Sequence, residues 1–105
     1  MKKITFYSLH NSKENNGEIE ARLHNGYTDG KFNYYKIKKN TWFAIDPQTG
    51  IAVCQSKTRT LTMEQANSQE ITEQLEKYRK SESYSKLIEQ FKITIYKTNP
   101  AFRKG

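Results

Sequence analysis

Residues 46–50, Asp-Pro-Gln-Thr-Gly, constrain this chain more than any other segment. Proline presets the backbone for position i+1 of a type I turn, and aspartate caps the turn from position i. Glycine supplies the left-handed residue that leads back into a strand. On either side lie Thr41 to Ile45 (TWFAI) and Ile51 to Ser56 (IAVCQS), apolar and aromatic runs of strand length. The pattern predicts an antiparallel hairpin. Phe32 to Lys38 (FNYYKIK), followed by a Lys39-Asn40 turn, adds a strand and makes 32–56 a three-stranded meander.

The segments before it also read as strands. Lys3 to Leu9 (KITFYSL) is rich in β-branched and aromatic residues. The polar stretch His10 to Glu18 ends in an Asn-Asn-Gly turn signal. Ile19, Ala21 and Leu23 then alternate with Glu20, Arg22 and His24, the period of a half-buried strand. Asn25-Gly26 and Asp29-Gly30 punctuate a loop holding Tyr27 and Thr28.

Past residue 60 the period changes. Thr62 and Gln65 suggest a capping box, with Met63 and Ala66 on one face and a pause near Asn67-Ser68. Ser68 is placed to cap a helix whose apolar stripe is Ile71, Leu75 and Tyr78. After Ser81-Glu82-Ser83, residues Tyr84, Leu87, Ile88 and Phe91 repeat the stripe. Ile93 to Tyr96 continues the helical period, yet its residue types favour a sixth strand, and that is the expectation here. Asn99-Pro100 ends regular structure ahead of a basic tail, Ala101 to Gly105.

The fold class expected is α+β: an antiparallel sheet of four to six strands, with two or three helices packed on one face. The helices fall near 62–80 and 83–91. The 105 residues suit one domain, strand-rich over 1–59, helical over 60–91, and ending in a strand and tail over 92–105.

Composition decides what fills the core. Ile, Leu, Val and Phe together number only 20 of the 105 residues, so the seven Tyr and one Trp must share the burial. The expected core is Ile4, Phe6, Ile19, Leu23, Tyr35, Ile37, Phe43, Ile45, Val53, Ile71, Leu75, Leu87, Ile88 and Phe91.

Several functions are disfavoured. No apolar run approaches the roughly 18 residues that span a bilayer. Met1 to Leu9 lacks the apolar core of a signal peptide, and Cys54 stands alone. A cytosolic protein without membrane contact or disulfide is expected. There is no phosphate-cradling glycine loop, nucleophile elbow or His-Glu-x-x-His motif. His10, His24 and Cys54, with Glu18 or Glu20, are the only conceivable metal or nucleophilic set. His24 falls on the polar face of its strand, and Cys54 reads as a small half-buried hydrophobe. Asp29 and Asp46 are explained by turn capping. No catalytic residue, metal or cofactor is therefore expected, and the chain reads as a non-enzyme.

The net charge of +7 is unevenly spread. Residues 1–30 are balanced and 31–59 carry an excess of five positive charges. The span 60–76 holds only Glu64, Glu70, Glu73 and Glu76, and 77–105 is again basic by six. Excess positive charge draws polyanions by steering and counterion release. One face of Phe32 to Lys38 holds Phe32, Tyr34, Lys36 and Lys38, and Trp42 follows in the next strand. Aromatics beside lysines suit base stacking with phosphate contact; equally, the aromatics are core and the lysine stems cover their edges. Ser56 to Thr60 adds Lys57 and Arg59 at the entry to a helix, where an anion is favoured. The candidate nucleic-acid-binding set is Lys31, Tyr34, Lys36, Lys38, Lys39, Trp42, Lys57 and Arg59.

The order strand, Asp46-Pro47-x-Thr49-Gly50 turn, strand, then Thr58-Arg59-x-x-x-x-Glu64-x-Ala66 resembles the sheet-plus-helix modules of small phage and mobile-element proteins. The arm-binding modules of phage-type integrases are similar over residues 32–80, and no integrase catalytic portion accompanies them here. A short, Lys- and Tyr-rich chain also resembles phage accessory proteins, including inhibitors of CRISPR and other defence systems. Many of those inhibitors are acidic mimics of nucleic acid, from which a +7 chain departs. The resemblance implies an accessory protein that engages nucleic acid, a nucleoprotein complex or a host defence protein. The alternative is a protein–protein inhibitor or antitoxin-like module, using the acidic 64–76 helix or an exposed aromatic patch.

Overall fold

A computed structural model of the chain describes residues 1–11 and 19–99. Five strands come first: β1 (Lys2–Asn11), β2 (Ile19–Thr28), β3 (Asn33–Lys38), β4 (Thr41–Ile45) and β5 (Ala52–Ser56). Three helices follow: α1 (Arg59–Ala66), α2 (Gln69–Arg79) and α3 (Glu82–Thr98). Each strand pairs antiparallel with the next, so the sheet keeps sequence order. The fold is α+β. None of the described helices is long and apolar enough to cross a membrane.

Local chemistry explains the boundaries. In the β4–β5 turn the Asp46 carboxylate accepts from the Gln48 amide at 3.0 Å, and Gly50 takes φ +72°. Each helix starts at a hydroxyl: Thr58, Ser68 and Ser81 accept from the amides of Leu61, Ile71 and Tyr84. The cap of the first helix is thus Thr58 rather than Thr62, and that helix begins four residues earlier than the capping-box reading placed it.

The expected sixth strand is absent; 92–97 is the last part of α3. Tyr84, Phe91 and Ile95 are buried on one face, and Thr94 beside Ile95 is buried too. That stripe continues the helical period set by Leu87 and Ile88. Burial of Ile95 with Tyr7, Ala21 and Phe91 outweighs the strand preference of Ile-Thr-Ile-Tyr.

The helices lie over the opposite face of the meander from the one expected. α1 packs on β3, β4 and β5, α3 packs on β2, and α2 joins the other two helices. Beneath α1 are Phe32, Tyr34 and Ala44, met by Ala66 from the helix itself and edged by Trp42, Cys54, Met63, Leu75 and the expected Val53. Tyr35 and Phe43 face away and are only half-buried. Ile19, Leu23 and Ile37 are not core, being 46%, 57% and 48% exposed. Phe6, Ile45 and Phe91 are buried as expected.

The sheet is not paired along its whole width. Tyr27 with Tyr34 and Thr28 with Asn33 are the only partners between β2 and β3. Beyond Gly26 on one side and Tyr35 on the other, the two strands fork apart. At the fork the Tyr34 carbonyl lies so close to Gly26 that a β-carbon there would sit 2.1 Å from it. At the other end, the Leu9 amide donates to the Gly50 carbonyl at 2.8 Å, so the sheet curls until the β4–β5 turn meets β1.

Candidate nucleic-acid interface

Strand register gathers most of the candidate cations at one end of the sheet. Lys36 is directly opposite Trp42, and Trp42 is opposite Ser56, whose sequence neighbour is Lys57. The Lys39-Asn40 turn, with Asn40 at φ 58°, presents Lys38 and Lys39 just beyond. The Arg59 guanidinium lies 4.3 Å above the Tyr27 ring, and that ring is 6.2 Å from Trp42. Lys36, Lys38, Lys39 and Lys57 are exposed, while Arg59, Trp42 and Tyr27 are half-buried. Among the described residues none of these five cations forms an ion pair; the pairs present are Arg22–Glu20, Arg79–Asp46 and Lys92–Glu89. No acidic residue stands in the first turn of α1. The result is an uncompensated positive edge around two aromatic rings.

Two candidates do not join it. Tyr34 is fully buried, with its hydroxyl donating to Asp29 at 2.5 Å and accepting from the Asn67 amide at 3.4 Å. Burial, then the bond to Asp29, raises the phenol well above its ordinary range. Tyr34 locks the β2–β3 loop to the end of α1 and offers no face for stacking. Lys31 is exposed but stands at the other end of β3, a strand of six residues and so about 17 Å long. Its charge acts on a different part of the surface.

Tyr27 escaped the sequence reading because Asn25-Gly26 and Asp29-Gly30 mark a loop around it. The signal that would have found it is the alternation Ala21, Leu23, Asn25, Tyr27, which continues β2 to its end.

A second constellation lies on the face away from α1, where Phe6, His24, Tyr35 and Phe43 form a row across four strands. His24 stacks on Tyr35 with centroids 3.9 Å apart and planes within 14°. Phe6 and Phe43 meet Tyr35 edge-on at 5.8 and 5.9 Å. The His24 Nε2 lies 2.7 Å from the Ser8 hydroxyl. Burial, then the charges of Arg22 and His10, lowers the His24 pKa below its ordinary 6.5. His10 and His24 do not meet Cys54, which is on the other face with its thiol toward the Thr62 carbonyl at 3.7 Å. Burial pushes that thiol up, away from nucleophilic use. Among the described residues no three His, Cys, Asp or Glu side chains are arranged to hold a metal ion.

The lowered His24 pKa sets a testable pH dependence. Because the folded state resists protonating this ring, the unfolded chain takes up more protons as pH falls through 6.5. Stability should therefore decline on acidification toward the folded-state pKa and level off below it. Urea midpoints measured between about pH 7.5 and pH 5.5 should fall, and His24→Phe should flatten that decline. An unchanged slope in the variant would remove His24 as its source.

Comparison with protein-family models, with curated proteins and with solved structures gives no match to this chain.

Proposed function

We propose that the protein binds nucleic acid, free or within a nucleoprotein complex, through the basic end of its sheet, as a small accessory protein of phage or mobile-element type. The observation that supports this most directly is the cluster Lys36, Lys38, Lys39, Lys57 and Arg59 around Trp42 and Tyr27, without a carboxylate partner among the described residues. Cations left unneutralised and aimed at solvent gain most from a dense row of phosphates, because each contact releases a condensed counterion. A host defence complex that carries its own RNA or DNA offers the same chemistry. Lys31 and Tyr34 are left out of the proposed interface.

The experiment is a titration against duplex DNA, single-stranded DNA and RNA at two salt concentrations. Affinity should fall steeply as salt rises. Lys36→Ala, Lys38→Ala, Lys57→Ala and Arg59→Ala should each flatten the log–log slope by about one unit. Lys31→Ala should leave the slope nearly unchanged if the interface is confined to this end. Salt-independent binding, or no binding to any polyanion at low salt, would instead favour a protein partner. The exposed carboxylates Glu64, Glu70, Glu73 and Glu76 on α1 and α2, also without ion pairs among the described residues, would then be the surface to test.

A further inference from the structure

The fork between β2 and β3 opens a cavity of about 280 Å³ lined by His10, Arg22, His24, Tyr35, Lys36, Ile37 and Phe43. We infer that this cleft takes an unpaired base of a nucleic-acid strand, which makes the protein prefer single strands to duplex. The inference rests on the nucleic-acid reading above and adds to it a second contact surface and a strand preference.

Four observations converge on that occupant. The cleft lies where backbone pairing between β2 and β3 has ended, so an extended chain can enter without displacing a strand. Its volume falls just short of the roughly 300–1,000 Å³ of small-ligand clefts, too small for a helix or a duplex and suited to a flat ring. Its walls are the half-buried rings of His24 and Tyr35, stacked on each other, and of Phe43, with the exposed Ile37 beside them, an aromatic row that a base would extend from an outer ring face. Its polar rim is cationic. Arg22 supplies the charge on this face, and among the described residues Glu20 is its ion-pair partner, through one oxygen at 2.7 Å. Lys36 borders the cleft from β3, but its side chain shares the α1 face with Tyr34 and Trp42, so Arg22 is the cation on the cleft's own face. A strand that leaves the basic end must pass around the β3–β4 edge of the sheet to reach the fork on its other face. A duplex keeps its bases stacked inside and can use only the basic end.

The Arg22–Glu20 pair makes the inference testable in both directions. A short oligothymidylate and a duplex of equal length are titrated against the intact chain and its variants. Arg22→Ala and Ile37→Glu alter exposed side chains and leave the fold to be verified by circular dichroism. Each should weaken single-strand binding by roughly 5- to 150-fold, the span of one lost base stack or charged contact, with duplex binding changed far less. Tyr35→Leu should do the same if it folds. Glu20→Gln frees Arg22 and should raise the single-strand to duplex affinity ratio. Backbone resonances of Tyr35, Ile37 and Phe43 should shift on adding the oligothymidylate. Equal affinity for the two probes, or unchanged single-strand binding in Arg22→Ala and Ile37→Glu while Lys57→Ala and Arg59→Ala lose it, would overturn the cleft and leave the basic end standing. Binding that survives in every variant would place it on neither surface and overturn the cleft, and no binding of either probe by the intact chain would remove the nucleic-acid reading itself.

Discussion

Gly50→Ala should be among the most damaging single changes in this fold, costing roughly 3–5 kcal/mol, the size of a severe overpacking combined with a strained backbone. Two penalties act together. Residue 50 has φ +72°, and an alanine there costs about 1–2 kcal/mol in backbone sterics alone. The new methyl would also lie 2.4 and 2.7 Å from the Phe91 ring and 2.9 Å from the Leu9 amide nitrogen. Phe91 cannot retreat easily, since it is packed with Tyr7, Ala21 and Ile95. Moving the turn instead would break the Leu9-to-Gly50 hydrogen bond that holds it against β1. Against a total stability of about 5–15 kcal/mol for a small domain, the variant is expected near the limit of folding. Gly30→Ala is the natural control, because Gly30 also has a positive φ (93°) but nothing lies within 4 Å of an added β-carbon. Urea midpoints should fall for both and much further for Gly50→Ala. Equal midpoints would mean that the contact with Phe91 and Leu9 relaxes at little cost.

What the sequence made legible was what short-range chemistry decides. The Asp46-to-Gly50 turn carries its instructions within five residues, so the three-stranded meander around it could be read directly. The stripe Tyr84, Leu87, Ile88, Phe91 was equally clear as a helix. The face of β3 was not, because Tyr34 and Tyr35 are adjacent in sequence and either ring could fill a core. The choice falls to α1, whose Ala66 and Met63 settle over Tyr34 and Ala44. Once that is fixed, alternation sends Tyr35, Ile37 and Phe43 to the other side, where the sequence reading had placed the interior. Ile-Thr-Ile-Tyr near the C-terminus misled for the same reason: its strand propensity is local, and the packing of Ile95 on β1 and β2 is not. The basic end was visible as charge but not as a site. Lys57 and Arg59 reach Lys36 only through the pairing of β4 with β5, and Lys31, five residues before Lys36, is carried away by the length of a strand.

Asp46 offers the second large effect, and its role exceeds the turn cap that the sequence suggested. The carboxylate is 2% exposed. Its Oδ2 accepts from the Tyr84 hydroxyl at 2.6 Å and from the Thr49 hydroxyl at 3.3 Å, and Oδ1 accepts from the Gln48 amide at 3.0 Å. Arg79, at the end of α2, approaches Oδ1 to 3.8 Å with its side chain 43% exposed. One carboxylate therefore ties the β4–β5 turn to the start of α3. Burial, then the bond to Asp46, holds the Tyr84 phenol up at about 12, so it stays a donor at any physiological pH. Asp46→Ala should cost roughly 3 kcal/mol or more, because it orphans several buried donors at once. Tyr84→Phe should cost about 1–3 kcal/mol, leaving the carboxylate short of one donor. Arg79→Ala should cost at most about 1 kcal/mol, as a solvent-exposed ion-pair partner does. If the turn and α3 are joined through this bond, the double variant Asp46→Ala/Tyr84→Phe should fall short of the sum of the singles by about 0.5–3 kcal/mol in urea unfolding. Strict additivity would show that Asp46 serves the turn alone and that α3 is held to the sheet by Phe91 and Ile95.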